Sequence, residues 1–182
     1  TKKMKLSKIY SNLNNLFTPV KFNTGLNVVV AEIKLPENKN KDVHNIGKTT
    51  LGRVIDFGLL LGRHPTFFLF KHEDIFEKFI FYLELKLDKK NYITIKRGVS
   101  NASKISFKSH DQPNQDFSNL QQESWDHSHV PLARAKEILD GILNLQSLGD
   151  WEYRKGVGNL LRTQDDYGDV FKLQKYQSKH SA

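Results

Sequence analysis

Cysteine is absent from the 182 residues, which excludes disulfides, cysteine-ligated zinc and thiol catalysis. Long apolar runs are absent too: "FGLLL" and "FFLF" fall far short of the roughly 18 residues that a membrane span needs. No basic segment followed by an apolar one opens the chain, so no secretory signal is read and a cytoplasmic protein with no membrane contact is expected. Internal repeats, low-complexity segments and heptad stretches are missing, which leaves a globular domain as the class to test.

Composition supports that class. Hydrophobic residues make up 38% and charged residues 26%, with twelve Phe, six Tyr and two Trp, enough to build a core. A chain of about 150 residues already hides roughly 70% of its unfolded surface, so one domain is expected rather than two. Lysine and arginine (28) outnumber aspartate and glutamate (20), giving a formal charge of +8. Such an excess suits an acidic partner such as nucleic acid, and equally a surface that is merely soluble.

Apolar, β-branched clusters in "KMKLSKIYSNL" and "GLNVVVAE" predict strands near residues 4–10 and 26–32, the second apolar on both faces as a buried strand is. The polar stretch "IKLPENKNKDVHN" predicts an exposed loop. From Gly47 onward, Leu51, Val54, Ile55, Gly58 and Leu61 recur at helical spacing. In "FIFYLELKL" the alternation predicts a strand with one face in the core, and with "YITIKRGV" and "SKISFKSH" it predicts a three-stranded antiparallel meander over residues 79–109. Lys86, Lys96, Lys104 and Lys108 fall at its polar positions. Residues 110–129 read as a polar loop. Pro131 suits the first turn of a helix through "LARAKEILDGILNL", with Leu132, Ala135, Ile138, Leu139, Ile142 and Leu143 on its buried side. The last stretch has no clear period until "DVFKLQKY" and stops without a cap signal, as a piece of a longer protein would.

The chemistry sits in Gly47-Lys48-Thr49-Thr50. In the pattern G-x-x-x-x-G-K-[ST] the first glycine should stand where this chain has Asp42. If about ten residues of "IKLPENKNKDV" are an insertion, which costs little as loop closure, Ala31-Glu32 becomes the beginning of the loop and Ala31 takes that glycine's place. A phosphate loop needs amide N–H groups at a helix N-terminus, a lysine for the β- and γ-phosphates and a hydroxyl for Mg²⁺. Residues 47–50, Lys48 and Thr49 are of these types. The bland alternative is a capped structural helix.

The run "GLNVVV...NIGKTTLGRVIDFGLLLG", with "LLRTQDDYGDVF" downstream, resembles the N-terminal half of an SMC-like ABC ATPase head, the class that includes SbcC-type repair ATPases. "VKFNTGLNVVV", "PENKNKDVHNIGKTTLGRVIDF", "FFLFKHEDIF", "SKISFK" and "WEYRKGVGNLLRTQDDYGDVF" are most similar to the SMC-like component of Lamassu-type anti-phage systems and related ABC-three-component defence ATPases. The resemblance covers nearly the whole chain and implies an α/β fold: a P-loop NTPase, ABC-type head lobe with an antiparallel β-subdomain, filling residues 1–182. It implies ATP and Mg²⁺ as cofactors. Lys48 and Thr49 match the Walker A lysine and metal-binding hydroxyl, and Gln164 the Q-loop glutamine that reaches the metal and the attacking water. His44, Asn45 and Ile46 precede Gly47; His44 and Asn45 either touch phosphate or only finish the loop, and Thr50 completes the amide run.

An LSGGQ-like signature and a Walker B run are lacking, and in that class both follow a long coiled coil. The resemblance therefore implies a composite site, inactive in this chain alone, completed by a C-terminal lobe of the same protein and by a second ATPase head in a dimer. It further implies DNA sensing and an associated effector nuclease in anti-phage defence, or a DNA-repair role in the SbcC manner. Two other classes stay open: a P-loop kinase or GTPase complete in itself, and a nucleic-acid-binding module without nucleotide chemistry. The meander lysines are either DNA-backbone contacts or a solvated sheet face. Asp126, His127 and His129 in "WDHSHV" read as hydrogen-bonding loop residues before a metal site, because further ligands at suitable spacing are lacking. His72, Glu73 and Asp74 in "FKHEDIF" read as a solvated helix start.

Overall fold

Alternation in "FIFYLELKL", "YITIKRGV" and "SKISFKSH" builds the middle of a sheet. The computed structural model describes residues 4–29 and 48–143. In chain order its elements are β1 (Lys5–Ser11), β2 (Val20–Lys21), α1 (Lys48–Gly58), α2 (Phe68–Lys71), α3 (Glu73–Phe76), β3 (Ile80–Lys86), β4 (Tyr92–Gly98), β5 (Lys104–His110), β6 (His127–Pro131) and α4 (Leu132–Leu143). The strands form one six-stranded sheet in the order β2-β1-β3-β4-β5-β6. Every neighbouring pair is antiparallel, so the architecture is mixed α/β. The expected meander is present as β3, β4 and β5. Its first turn is closed by Asp88, whose carboxylate accepts from the Lys90 and Asn91 amides and from the Asn91 side chain.

One face of the sheet carries Ile9, Phe81, Leu83, Leu85, Ile93, Ile95, Ile105 and Phe107, all in the main core cluster. Helices α1 and α4 cover it, α1 against β3 and β4 and α4 against β5 and β6. The helical spacing of apolar residues explains both seats: Val54, Ile55 and Phe57 are buried on α1, and Ala135, Leu139 and Leu143 on α4. Leu132, Ile138 and Ile142 of the expected α4 stripe pack at its margin. Among the described residues no helix is long and apolar enough to cross a membrane.

Three expectations are corrected. Residues 26–29 form no strand, and Leu26, Val28 and Val29 are 87%, 71% and 50% exposed. The cause is local: the Asn27 side chain accepts from the Asn23 amide and donates to the carbonyls of Asn23 and Gly25, a turn that carries the chain off the sheet edge after Phe22. The segment 110–129 holds a strand, β6, which lacks an apolar alternation and is held by backbone pairing to β5. Pro131 closes β6 opposite Lys104 and does not open the helix; an edge strand tolerates its missing N–H.

Helix α1 ends in a Schellman arrangement: the Leu60 amide donates to the Phe57 carbonyl and the Leu61 amide to the Asp56 carbonyl. Leu60 adopts φ 64°, a left-handed conformation that costs a branched residue about 1 kcal/mol or more, and its fully buried side chain offsets that cost. The expected stripe residue Leu61 thus lies beyond the helix.

Gly58 permits the close approach of α1 to the sheet. A Cβ at this position would stand 3.0 Å from both Cβ and Cδ2 of Leu83, a side chain fixed in the central strand. Gly58→Ala is expected to lower stability by about 1–2 kcal/mol despite its better helix propensity, because overpacking outweighs the propensity gain. Urea unfolding checks this, and combination with Leu83→Ala should be less than additive.

Candidate functional site

Helix α1 begins at Lys48, directly after Gly47, so the backbone of the Lys-Thr-Thr sequence lies in its first turn. The first amides of a helix have no intrahelical acceptor and carry partial positive charge. No acidic residue stands in this turn, so nothing there opposes an anion. Thr50 is exposed and Thr49 half-buried. Thr49 and Thr50 are thus brought together with the Lys48 backbone, whereas His44, Asn45, Ile46, Gly47 and Gln164 lie outside the described residues, as do Ala31, Glu32 and Asp42. The buried strand expected just ahead of the loop is not present over residues 26–29, so the motif stands here on its helix alone.

The opposite face of the sheet holds the second concentration of chemistry. Residues 111–126 cross it as a strap that carries Asp111, Asp116, Glu123 and Asp126 and no lysine or arginine. Its anchor is Glu84, fully buried in β3, which accepts from Ser7 Oγ (2.6 Å), the Asn114 amide (2.9 Å) and the Gln115 amide (3.2 Å). Lys8 donates to the carbonyls of the same two strap residues (3.4 and 3.0 Å) and lies 4.2 Å above the Tyr10 ring. Tyr10 and Tyr82 stack with centroids 4.7 Å apart, Trp125 packs on Tyr82, and the Phe117 amide donates to the Tyr10 hydroxyl.

The electrostatics follow from this cover. Burial pushes the Tyr10 phenol well up and the Tyr82 phenol up to about 12. Burial also lowers the ammonium groups of Lys8 and Lys96, with Asp116 and Glu84 partly restoring Lys8. For Asp126 burial acts upward, but the Lys108 ammonium and the Ser109 amide outweigh it and hold the carboxyl below its usual range.

Of the four meander lysines read as candidate DNA contacts, three have an internal partner. Lys108 pairs with Asp126 at 2.8 Å, and Lys96 lies 5.2 Å over the Trp125 ring. Lys104 is exposed and Lys86 half-buried near Tyr92. His129 hydrogen-bonds Gln122, as expected, whereas His127 packs edge-on against Phe107, and both stand in β6 rather than in a loop. Among the described residues no group of three or more His, Cys, Asp or Glu could hold a metal ion. His72 stands at the N-cap position of the short α3 without a side-chain capping bond, and Glu73 binds Arg63 at 2.9 Å.

Besides Lys8, two buried charged residues escaped the sequence reading. Glu84 alternates with the core residues of β3 and so falls on the face that the period-two pattern leaves outside the core; a covering strap is not visible in such a pattern. Arg97 shares the phase of Ile93 and Ile95, a signal that a charged residue enters the core. Its guanidinium donates to the carbonyls of Phe57 (2.7 Å) and Ala102 (2.8 Å) and lies 4.2 Å over the Phe57 ring.

Glu84→Ala would strand the Ser7 hydroxyl and two strap amides, each left without a partner at about 1–3 kcal/mol. Hydrogen exchange is expected to accelerate at Asn114 and Gln115 while β4 stays protected. The tyrosine pair also gives a pH dependence. Unfolded tyrosine ionises near its ordinary value of 10, whereas Tyr82 holds its proton to about 12. The stability from this pair is complete below about pH 10 and is lost as pH rises towards the folded values. The lysine contribution has the opposite sign and is complete by the unfolded value of 10.5. Urea midpoints should therefore fall from pH 10 to 12, and Tyr82→Phe should flatten that fall.

No family model, curated protein or solved structure matches the chain significantly.

Proposed function

We propose that this chain is a nucleotide-binding lobe of P-loop, ABC-type character that binds ATP with Mg²⁺ and requires a further lobe and a second head for hydrolysis. The observation that carries the reading is the start of α1 at Lys48, with Thr49 and Thr50 in a first turn free of acidic residues. In this reading the amides of that turn and the Lys48 ammonium receive the phosphates, and the Thr49 hydroxyl would hold the Mg²⁺, whose charge offsets that of the β- and γ-phosphates. Gln164 would orient the attacking water. The residues present suit an anion: neutral hydroxyls, helix amides and a lysine.

The partner part of the reading is supported by Leu26, Val28 and Val29. Their exposure is what a lobe separated from a complementary one would leave. DNA sensing in phage defence, or in repair, rests on the family resemblance and on the basic balance of the chain. A nucleic-acid module without nucleotide chemistry is the second reading, favoured by the exposed Lys104 and by Lys86 on one sheet face.

The test is calorimetric titration of the 182-residue chain with MgATP. Wild type is expected to bind, and Lys48→Ala to lose affinity by about tenfold or more, the worth of a charge-assisted contact. Little or no turnover is expected from the chain alone. Vigorous turnover by the single chain would overturn the half-site. Absence of ATP binding together with salt-dependent DNA binding unchanged in Lys48→Ala would favour the second reading.

A further inference from the structure

Helix α1 is tied to another element at its C-terminal end by a hydrogen bond. At its C-terminal end the Phe57 carbonyl accepts both the Leu60 amide of the Schellman turn and Nη1 of Arg97, which reaches across from β4. Nε of the same guanidinium donates to the Ala102 carbonyl in the β4–β5 turn, so one rigid fork ties the helix to the hairpin. Arg97 is 1% exposed, and its plane lies against the Phe57 ring. The contact of Gly58 with Leu83 fixes how near α1 lies to the sheet. It is non-directional and does not fix where the helix stops along its axis. The fork does, because a hydrogen bond tolerates only a few tenths of an ångström and a narrow angle.

We infer that Arg97 is a positioning residue for the phosphate-binding end of α1: by clamping the Phe57 carbonyl to the β4–β5 hairpin it sets the axial position of Thr49 and Thr50. The inference rests on the nucleotide reading above. The eleven residues of α1 span about 16 Å, and a helix of that length is stiff along its axis, so a shift at Phe57 reaches Lys48 undiminished. Phosphate contacts made by amides and a hydroxyl respond to displacements of about 1 Å with losses of up to 100-fold. The charge of Arg97 also suits its place: a cation at the carbonyl end complements the helix dipole, while the amide end is left to an anion.

A merely structural arginine would lower the melting temperature and leave the nucleotide-induced rise unchanged, since that rise depends on ligand concentration relative to Kd in the folded state. The experiment measures melting of the full chain with and without a fixed excess of MgATP. The variants are wild type, Arg97→Lys, Arg97→Met and Leu139→Ala, the last a core change in α4, which packs on β5 and β6. The expected order of the MgATP-induced rise is wild type above Arg97→Lys above Arg97→Met, with Leu139→Ala equal to wild type although melting lower on its own. Titration well below the melting point should give a Kd about 10-fold or more weaker for Arg97→Met. Arg97→Lys keeps the charge and loses the fork, so it decides the matter if Arg97→Met does not fold. Equal rises in wild type and Arg97→Lys, with equal Kd, overturn the positioning role and leave nucleotide binding standing. No rise in wild type overturns both.

Discussion

A slip of β3 by one residue against β1 or β4 would drive Glu84 into the apolar layer beneath α1 and push Leu83 and Leu85 into the strap. Both faces of this strand are buried, so its register is set twice, once by apolar residues and once by a carboxylate. The register of the whole sheet follows, because β3 pairs with β1 on one side and β4 on the other. A buried carboxylate is costly unless its lone pairs are used, and Glu84 accepts three hydrogen bonds, two of them from strap amides. The strap therefore lies where it does because the carboxylate must be satisfied, and the stacked Tyr10 and Tyr82 are covered as a result. Breaking one partner is far worse than never having the group.

The two faces meet in β4. Lys96 points to the strap and lies over Trp125, while its neighbour Arg97 points to the helices and lies over Phe57. Each cation is taken up by an aromatic face, and Arg97 by two carbonyls in addition. This arrangement gives α1 an asymmetry. Its rear is tied into the core by directional bonds, the Schellman turn and the tight Gly58–Leu83 approach, whereas its front presents a first turn with an exposed Thr50. Its carbonyl end is fixed by directional bonds, and the amide end of a helix is in general a place where an anion can bind.

The meander and both long helices were legible because their periods differ: two for β3 to β5, and three to four for α1 and α4. What was illegible has three separate causes. β6 has no alternation to read, since an edge strand held by backbone bonds imposes little on its side chains. The exposure of residues 26–29 depends on a turn closed by the Asn27 side chain, which composition does not reveal. Glu84 looked solvent-facing because the strap that buries it comes later in the sequence and is itself polar. Of the candidate site, Lys48 to Thr50 were legible as a helix start, and Arg97 was legible only in retrospect from its phase with Ile93 and Ile95. His44, Asn45, Ile46, Gly47 and Gln164 lie outside the described residues.

The formal charge of +8 is not a measure of free basic surface. Lys8 serves two strap carbonyls, Lys96 a tryptophan face, Lys108 an aspartate and Arg97 the end of a helix. These four cations are spent on internal contacts, and two of them are partly desolvated, so they offer little to a phosphate backbone. Set against the strap's four carboxylates, the face that looked most suited to nucleic acid is close to self-neutralised. On that face a polyanion would still find the exposed Lys104, one of the meander lysines. In the nucleotide reading proposed above, the anionic ligand would sit at the amide end of α1 and not on this sheet face. There, in that reading, backbone dipoles would act together with the charge of Lys48.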